Sequence, residues 1–333
     1  MPDDAVAPPD GASLAVLGAG AGGPEIARLL AHGAHDVRLW CRSPERSAQL
    51  ERERRRAPPE QRRRHGVRAT HRLEEALDGA EAAFVAVPSG AYAPLVASLR
   101  RRGPVPLLVS CAKGFLDADL RRLSEALAEA ADRVAVLSGP NLAGEIARGL
   151  PSAATVACVD DDAARRLQML LSQPTFRVYR SRDVIGVEAN GALKNVIALA
   201  AGMSDELRLG HNTHAALVTR GLAELARLAS ALGGDPRTAY GLAGLGDLVA
   251  TCASSESRNH QVGARIVRGE SIASIEASGI TAEGVTSVRH VVRFARRHDL
   301  DLPICREVEA VIDHGKAPRA AIEDLMRREP RAE

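Results

Sequence analysis

A short apolar segment followed at once by a glycine-rich turn constrains the fold of this chain more than any other feature. Residues 13–17 are apolar, residues 18–23 read Gly-Ala-Gly-Ala-Gly-Gly, and apolar residues at helical spacing follow from Ile26. A second strand-like segment covers residues 37–41. A strand, glycine turn, helix and strand within about thirty residues is the context in which a GxGxxG pattern predicts a dinucleotide-binding unit.

The turn itself contains the candidates for holding the phosphates of that dinucleotide. Backbone N–H groups at the N-terminus of a helix bind pyrophosphate, and glycine lets the backbone approach closely. We therefore predict cofactor contacts from Gly18, Gly20, Ala21, Gly22 and Gly23. The alternative is a glycine-rich turn with a structural role only.

The end of the second strand indicates which dinucleotide binds. NAD sites usually carry an acidic residue here for the ribose 2′-hydroxyl, whereas this chain has Arg42 followed by Ser43. Because a guanidinium pairs well with a 2′-phosphate, NADP(H) is expected to be preferred, with NAD(H) as the second choice. A solvated surface arginine is the alternative.

The arginine-rich run at 51–68 lacks aromatic residues and is interpreted as a solvated helix and loop rather than a nucleic-acid arm.

Further strand-like segments continue up to residue 183. They cover 82–87, 106–110, 134–137, 153–159 and 176–179. In a doubly wound sheet the carboxyl ends of the strands line the ligand crevice. Lys113 follows one of these ends, and Gly139 and Asn141 follow another. Lys113 is therefore expected to point towards the cofactor and the substrate.

From residue 184 onwards the pattern becomes helical. The predicted helices cover 184–203, 213–232, 235–251, 257–269, 285–297 and 304–312. The sequence therefore predicts an α/β N-terminal domain with a Rossmann-type doubly wound sheet, followed by an all-α C-terminal domain. We divide the chain into a disordered tail (1–12), a dinucleotide-binding domain (13–183) and an all-helical substrate and catalytic domain (184–330).

One lysine lies in the middle of the most apolar predicted helix. Lys194 shares helical spacing with Val187, Gly191 and Ala198. Burial of an ammonium group lowers its pKa towards the range of a general base, so Lys194 is a candidate catalytic residue. The alternative is a lysine whose charged end reaches solvent from an ordinary core helix.

A polar cluster follows a glycine-rich segment at 241–247. Ser257, Arg258 and Asn259 open the next predicted helix. A hydroxyl, a guanidinium and an amide at a helix N-terminus suit a phosphate group. Helix capping is the alternative role for these residues, and the preceding residues 254–256 are candidate caps.

The overall composition narrows the classes of partner. A formal net charge of +2 does not favour nucleic acid. The 5 cysteines are scattered singly, without the spacing of a metal site, which is typical of a reduced cytoplasmic protein without disulfides. No signal peptide is expected at the N-terminus, and no uninterrupted apolar run predicts membrane insertion.

Taken in order, these motifs resemble those of the bacterial NAD(P)-dependent glycerol-3-phosphate dehydrogenases. The similarity runs from about residue 14 to residue 322, and its most specific motifs lie at 186–195, 241–248 with 251–252, and 257–259, supported by 112–114, 138–140 and 282–284. The resemblance implies that NADPH or NADH reduces dihydroxyacetone phosphate to sn-glycerol 3-phosphate for phospholipid synthesis. It also implies an active site between the two domains, and a homodimer.

The resemblance further implies roles for individual residues. Lys194 would transfer the proton, and Lys113 would lie beside substrate and cofactor as a second catalytic lysine. Substrate contacts are implied for both lysines and for Gly139, Asn141, Asp247, Ser257, Arg258 and Asn259. Cofactor contacts are implied for Arg42, Lys113, Ala143, Arg258, Thr281 and Glu283. This agrees with the chemistry, because hydride arriving at a ketone builds negative charge on oxygen, which an adjacent ammonium stabilises and then protonates.

The chain departs from the family pattern mainly in the glycine turn. Residues 21–24 replace a usual serine, aromatic residue, glycine and threonine, and Pro24 suits the first turn of a helix.

Two other classes of function remain as alternatives. A ketopantoate reductase or opine dehydrogenase would need a carboxylate site, and a non-catalytic dinucleotide sensor would not need Lys113 and Lys194.

Overall fold

The chain folds into two compact units. The computed structural model describes residues 11–33, 35–56, 66–280 and 283–329. Among these residues, the first unit comprises those within 11–112, 123–137 and 143–184, and the second comprises those within 113–122, 138–142 and 185–329. Two short segments that follow strands of the first unit therefore belong to the second unit. Lys113, Gly139 and Asn141 lie on these segments, in the same unit as Lys194.

The first unit is built on an eight-stranded sheet. Its strands are β1 (Ser13–Leu17), β2 (Asp36–Trp40), β3 (Val67–Thr70), β4 (Ala82–Val85), β5 (Val105–Ser110), β6 (Ala131–Ser138), β7 (Ser152–Cys158) and β8 (Phe176–Ser181). Their order is β3-β2-β1-β4-β5-β6-β7-β8, and β1 pairs in parallel with both β2 and β4. The chain first adds strands β2 and β3 on one side of β1 and then adds β4 and the later strands on its other side. This reversal of the strand order at β1 is typical of dinucleotide-binding sheets. The predicted fold class is thereby confirmed.

Helices pack against this sheet. They are α1 (Gly23–His32), α2 (Pro44–Arg56), α3 (Leu73–Leu77), α4 (Tyr92–Arg102), α5 (Leu123–Leu127), α6 (Ala143–Ala147) and α7 (Asp161–Leu171). Leu14, Ala15, Val16 and Leu17 are all 0% exposed, because a parallel strand covered on both faces has no solvent side. Residues 1–10 of the predicted tail lie outside the described residues, whereas Ala12 is buried and accepts a hydrogen bond from the backbone of Asp36.

The second unit is helical. Its helices are α8 (Val184–Glu206), α9 (Gly210–Ala231), α10 (Asp247–Ala253), α11 (Arg258–Val267), α12 (Ile272–Ala277), α13 (Glu283–Arg297), α14 (Pro303–His314) and α15 (Pro318–Met326). By length and composition alone α8 could cross a membrane, although it contains no uninterrupted apolar run of that length. However, α8 is buried along most of its length by the other helices, as expected for the core helix of a large helical domain.

Two glycines bring α8 and α11 into backbone contact. A Cβ atom on Gly202 would lie 2.0 Å from the carbonyl oxygen of His260, and one on Gly263 would lie 2.0 Å from that of Leu199. Any larger residue at either position would separate the helices. The N-terminus of α11, where Arg258 stands, is therefore held against the helix that carries Lys194.

The structure corrects several predicted elements. The helix expected over 235–251 is instead a 3₁₀ turn (Pro236–Tyr240), a π-helical turn (Leu242–Gly246) and α10. Gly244 explains the tight turn, because a Cβ atom there would lie 2.1 Å from the carbonyl oxygen of Ala239. Strand β3 and helices α3 to α7, α12 and α15 were not predicted individually, and most of them are too short to show a clear period.

Candidate active site

The glycine turn after β1 combines two kinds of glycine. Gly18 has a φ of 120° and packs against Ala86, and a Cβ atom on Gly23 would lie 1.8 Å from the carbonyl oxygen of Gly18. By contrast, a Cβ atom on Gly20 or Gly22 would meet nothing within 4 Å. Gly22 is the N-cap residue of α1 and offers no side-chain cap, and Pro24 lies in the first helical turn as predicted. The first pair of glycines builds the turn, and the second pair leaves its backbone accessible.

A cavity of about 470 Å³ lies beside this turn in the first unit. Gly18, Gly20, Trp40 and Arg42 contribute to its wall. The volume lies in the usual range for small-molecule sites. Arg42 is exposed and makes no hydrogen bond or ion pair within the part of the chain that the structure describes. An accessible glycine turn beside a cavity with an uncommitted guanidinium fits a phosphorylated dinucleotide.

A buried carboxylate joins two lysines in the second unit. Lys194 is 5% exposed, and its Nζ donates a hydrogen bond of 2.6 Å to Oδ1 of Asp247. Lys113 Nζ donates to the other carboxylate oxygen of Asp247, and at 3.2 Å to the carbonyl oxygen of Gly139. Asp247 is 2% exposed, so its carboxylate is shielded from solvent, while the Lys113 side chain stays partly exposed. The segment after β5 and the N-terminus of α10 thus converge on the middle of α8.

Thr251 completes the surroundings of Lys194. Its Oγ1 accepts a hydrogen bond from Lys194 Nζ, and its hydroxyl donates at 2.6 Å to the backbone carbonyl oxygen of Asp247. In the sequence Thr251 stands out only as part of the motif at 251–252, and no role was predicted for it. Its spacing could have indicated one, since residues four apart on a helix lie on the same face. Asp247, which the resemblance placed on the substrate, here orients both lysines.

The pKa of Lys194 is lowered to about 8. Burial is the largest cause, because it disfavours the charged ammonium. The carboxylate of Asp247 acts in the opposite direction and raises the pKa, whereas the second cation, Lys113, lowers it. Lys194 can therefore exchange a proton near neutral pH, which an ordinary lysine cannot.

The predicted phosphate cluster lies at the N-terminus of α11. Ser257 is the N-cap residue, and its Oγ accepts from the backbone of His260 at 3.3 Å. The expectation that residues 254–256 cap this helix is therefore wrong. Asn259 is buried, and its Oδ1 accepts from the backbone of Gly284 at 3.0 Å. Arg258 is exposed and has no hydrogen bond or ion pair among the described residues. The helix end thus presents an unpaired guanidinium.

The remaining predicted site residues are more scattered. Asn141 is half-buried in the second unit, and Ala143 begins α6 in the first. Glu283 begins α13 and is half-buried. Thr281 lies outside the described residues. The ligand contacts of these four residues, like those of the other predicted site residues, stay predictions.

The fold and these groups of residues define the class of protein. A parallel sheet with an accessible glycine turn at its switch point is typical of nucleotide-dependent oxidoreductases. A buried lysine with a lowered pKa, held by a carboxylate, is suited to exchange a proton with a carbonyl or hydroxyl group. Together they describe a two-domain dehydrogenase of the Rossmann type.

The chain belongs to the NAD-dependent glycerol-3-phosphate dehydrogenase family. The model of the N-terminal part of that family matches residues 13–164, and the model of its C-terminal part matches residues 183–323. The resemblance seen in the motifs is thus confirmed over nearly the whole chain, and the ketopantoate reductase, opine dehydrogenase and sensor alternatives are not favoured.

Individual relatives agree with this assignment. A glycerol-3-phosphate dehydrogenase [NAD(P)+] of Thermus thermophilus is 47% identical over 325 residues, which cover 96% of this chain and 99% of the relative. One from Streptomyces griseus is 44% identical, with coverages of 96% and 97%. The crystal structure of glycerol-3-phosphate dehydrogenase from Coxiella burnetii superimposes with a TM-score of 0.88 at 34% identity, covering 96% of this chain and all of that one.

Proposed function

We propose that this enzyme interconverts dihydroxyacetone phosphate and sn-glycerol 3-phosphate, using NADP(H) in preference to NAD(H). The product would supply the glycerol phosphate of phospholipids. The observation that carries the proposal is the pair of lysines bridged by Asp247 in a chain of this family. Such a pair can stabilise and protonate the oxygen of a ketone that receives hydride.

Lys194 acts as the proton donor in the reduction. When bound, the cofactor supplies the hydride to the carbonyl carbon. Negative charge then develops on the carbonyl oxygen, and the ammonium of Lys194 stabilises this charge before giving up its proton. Lys113 adds a second positive charge, while Asp247 and Thr251 fix the position of the Lys194 side chain. In the oxidation of glycerol phosphate, neutral Lys194 takes the proton from the hydroxyl group.

The side chains proposed for the substrate are complementary to it in charge. Lys113, Lys194 and Arg258 supply three cations against the single carboxylate of Asp247. The net positive charge of these four groups matches a phosphate dianion. The guanidinium of Arg258, which has no partner among the described residues, can donate two hydrogen bonds to the phosphate oxygens. Ser257 and Asn259 stand beside Arg258 at the same helix N-terminus.

The two parts of the chain take different roles in this proposal. Residues 13–183 bind the dinucleotide through the glycine turn and Arg42, and residues 184–330 bind the substrate and exchange the proton. All five cysteines are unpaired, as expected for a cytoplasmic location. We also propose that the enzyme is a homodimer without a nucleic-acid or membrane partner.

The reaction can be tested directly with the purified protein. Oxidation of NADPH in the presence of dihydroxyacetone phosphate should be visible as a loss of absorbance, and the product should be sn-glycerol 3-phosphate. Faster turnover of ketopantoate would contradict the assignment of the substrate. Binding of NADPH without turnover of any ketone would instead support a sensor.

Replacing Arg42 with alanine should weaken the preference for NADPH over NADH. The lost contact with the 2′-phosphate corresponds to about 1.5–3 kcal/mol, or about 10- to 100-fold in the ratio of kcat/KM for the two cofactors. The NADH reaction should change little. Arg100→Ala is a matched control, because Arg100 is exposed on the same unit and pairs with Glu129 away from the cavity. If Arg42→Ala leaves the ratio unchanged, the basic run that begins at residue 51 becomes the next candidate.

A further inference from the structure

Two buried polar side chains near Lys194 lack hydrogen-bond partners in the described part of the chain. Asn190 is 0% exposed, and neither its Oδ1 nor its Nδ2 is paired. Ser138, the last residue of β6, is 3% exposed, and its Oγ is unpaired as well. A buried amide or hydroxyl without a partner costs about 1–3 kcal/mol, so each such group calls for an explanation, such as an ordered water or a functional role.

Both groups lie beside the lysine pair, in the second unit. Asn190 precedes Lys194 by four residues on α8, so the two side chains are neighbours on one face of the helix. Side chains on helices generally lean towards the helix N-terminus, so Lys194 is expected to lean towards Asn190. Ser138 Oγ lies 2.8 Å, and Cγ of Lys113 3.7 Å, from the position that a Cβ atom of Gly191 would occupy. The unpaired hydroxyl and Lys113 therefore pack on the helix next to Asn190.

The substrate has one polar group for which the site described so far has no partner. Dihydroxyacetone phosphate carries a phosphate on one end carbon, a ketone in the middle and a hydroxyl on the other end carbon. The proposed function assigns the phosphate to Arg258 and its neighbours, and the ketone to the lysines. The free hydroxyl both donates and accepts a hydrogen bond. The amide of Asn190 offers one acceptor and two donor hydrogens, and a serine hydroxyl can play either role.

We propose that Asn190, assisted by Ser138, recognises the free hydroxymethyl group of the substrate and so determines specificity at that end. This inference rests on the proposed function. A site built to bind a hydroxyl group rejects the analogue that lacks it, because its own buried polar groups are then left unpaired. The enzyme should therefore discriminate between dihydroxyacetone phosphate and 2-oxopropyl phosphate, which has a methyl group in place of the hydroxymethyl group.

The test compares kcat/KM for these two ketones with NADPH as the cofactor. Wild-type enzyme should favour dihydroxyacetone phosphate by at least about 100-fold. Asn190→Leu, which keeps the size of the side chain but removes its polar atoms, should reduce this preference at least about tenfold. The loss should fall on the hydroxylated substrate, with 2-oxopropyl phosphate reduced as well as before or better. Ser138→Ala should change the ratio in the same direction and tests the proposal if Asn190→Leu does not fold.

Ser204→Ala is the matched control. Ser204 lies on the same helix and is also buried with an unpaired Oγ, but it is ten residues beyond Lys194. Its replacement should leave the ratio unchanged. An unchanged ratio in folded Asn190→Leu and Ser138→Ala would overturn the inference, as would a wild-type enzyme that reduces both phosphates equally well. The second result leaves the proposed function intact, whereas failure to reduce either ketone would refute that function itself.

Discussion

Replacing Lys194 with methionine should lower kcat for the reduction of dihydroxyacetone phosphate by about 100-fold or more. Methionine has a similar length and suits a buried helix, but it can neither stabilise charge on the ketone oxygen nor supply a proton. NADPH binding should persist, because the glycine turn belongs to the other unit. Steady-state kinetics and a fluorescence titration with NADPH measure the two effects separately.

The pH dependence of the wild-type enzyme should report the same lysine. The pKa of Lys194 is lowered to about 8. The reduction needs the protonated form, so kcat for the ketone should fall as the pH rises through about 8. Oxidation of glycerol phosphate needs the neutral form and should become faster over the same range.

Lys316→Met is the control for Lys194→Met. It makes the same substitution in an ion pair with Glu307 and Asp324, and should leave turnover unchanged. Near-normal turnover of Lys194→Met would remove Lys194 from the mechanism.

The phosphate group of the substrate should raise kcat/KM by at least about 10³-fold, which corresponds to roughly 4 kcal/mol. We expect this difference between dihydroxyacetone phosphate and unphosphorylated dihydroxyacetone, because binding energy at the phosphate holds the ketone in place for hydride transfer. Arg258→Ala should remove much of the difference by slowing the phosphorylated substrate. The unphosphorylated ketone should react at nearly its former rate.

The other end of the same helix provides the control. Arg268 follows α11, is exposed, and pairs with Glu206. Arg268→Ala removes an arginine of similar exposure and should leave both rates unchanged. Comparable activity of the wild-type enzyme on the two ketones would contradict the assignment of a phosphorylated substrate. An unchanged preference in Arg258→Ala would move the phosphate site away from α11.

The local sequence was sufficient to predict those helices, strands and turns that have a strong sequence pattern. The apolar residues of β1, the glycines after it and the start of α1 follow one another directly, so their structure depends on short-range geometry. The long apolar run around Lys194 likewise predicted α8. Where several glycines interrupt a helical pattern, as between Tyr240 and Asp247, the prediction was wrong, because the π-helical turn there depends on backbone contact with Ala239.

The sequence by itself determined the fold class and the family, and it singled out Lys113 and Lys194 as candidate catalytic residues, since these depend on local patterns and on ordered motifs. Only the tertiary structure decided how the lysines are arranged. Lys113 and Asp247 are 134 residues apart, and nothing in their spacing predicts that they share an ion pair. Nor could the sequence show that Asn190 is buried without a hydrogen-bond partner among the described residues, because burial and pairing depend on what packs around a side chain from distant parts of the chain.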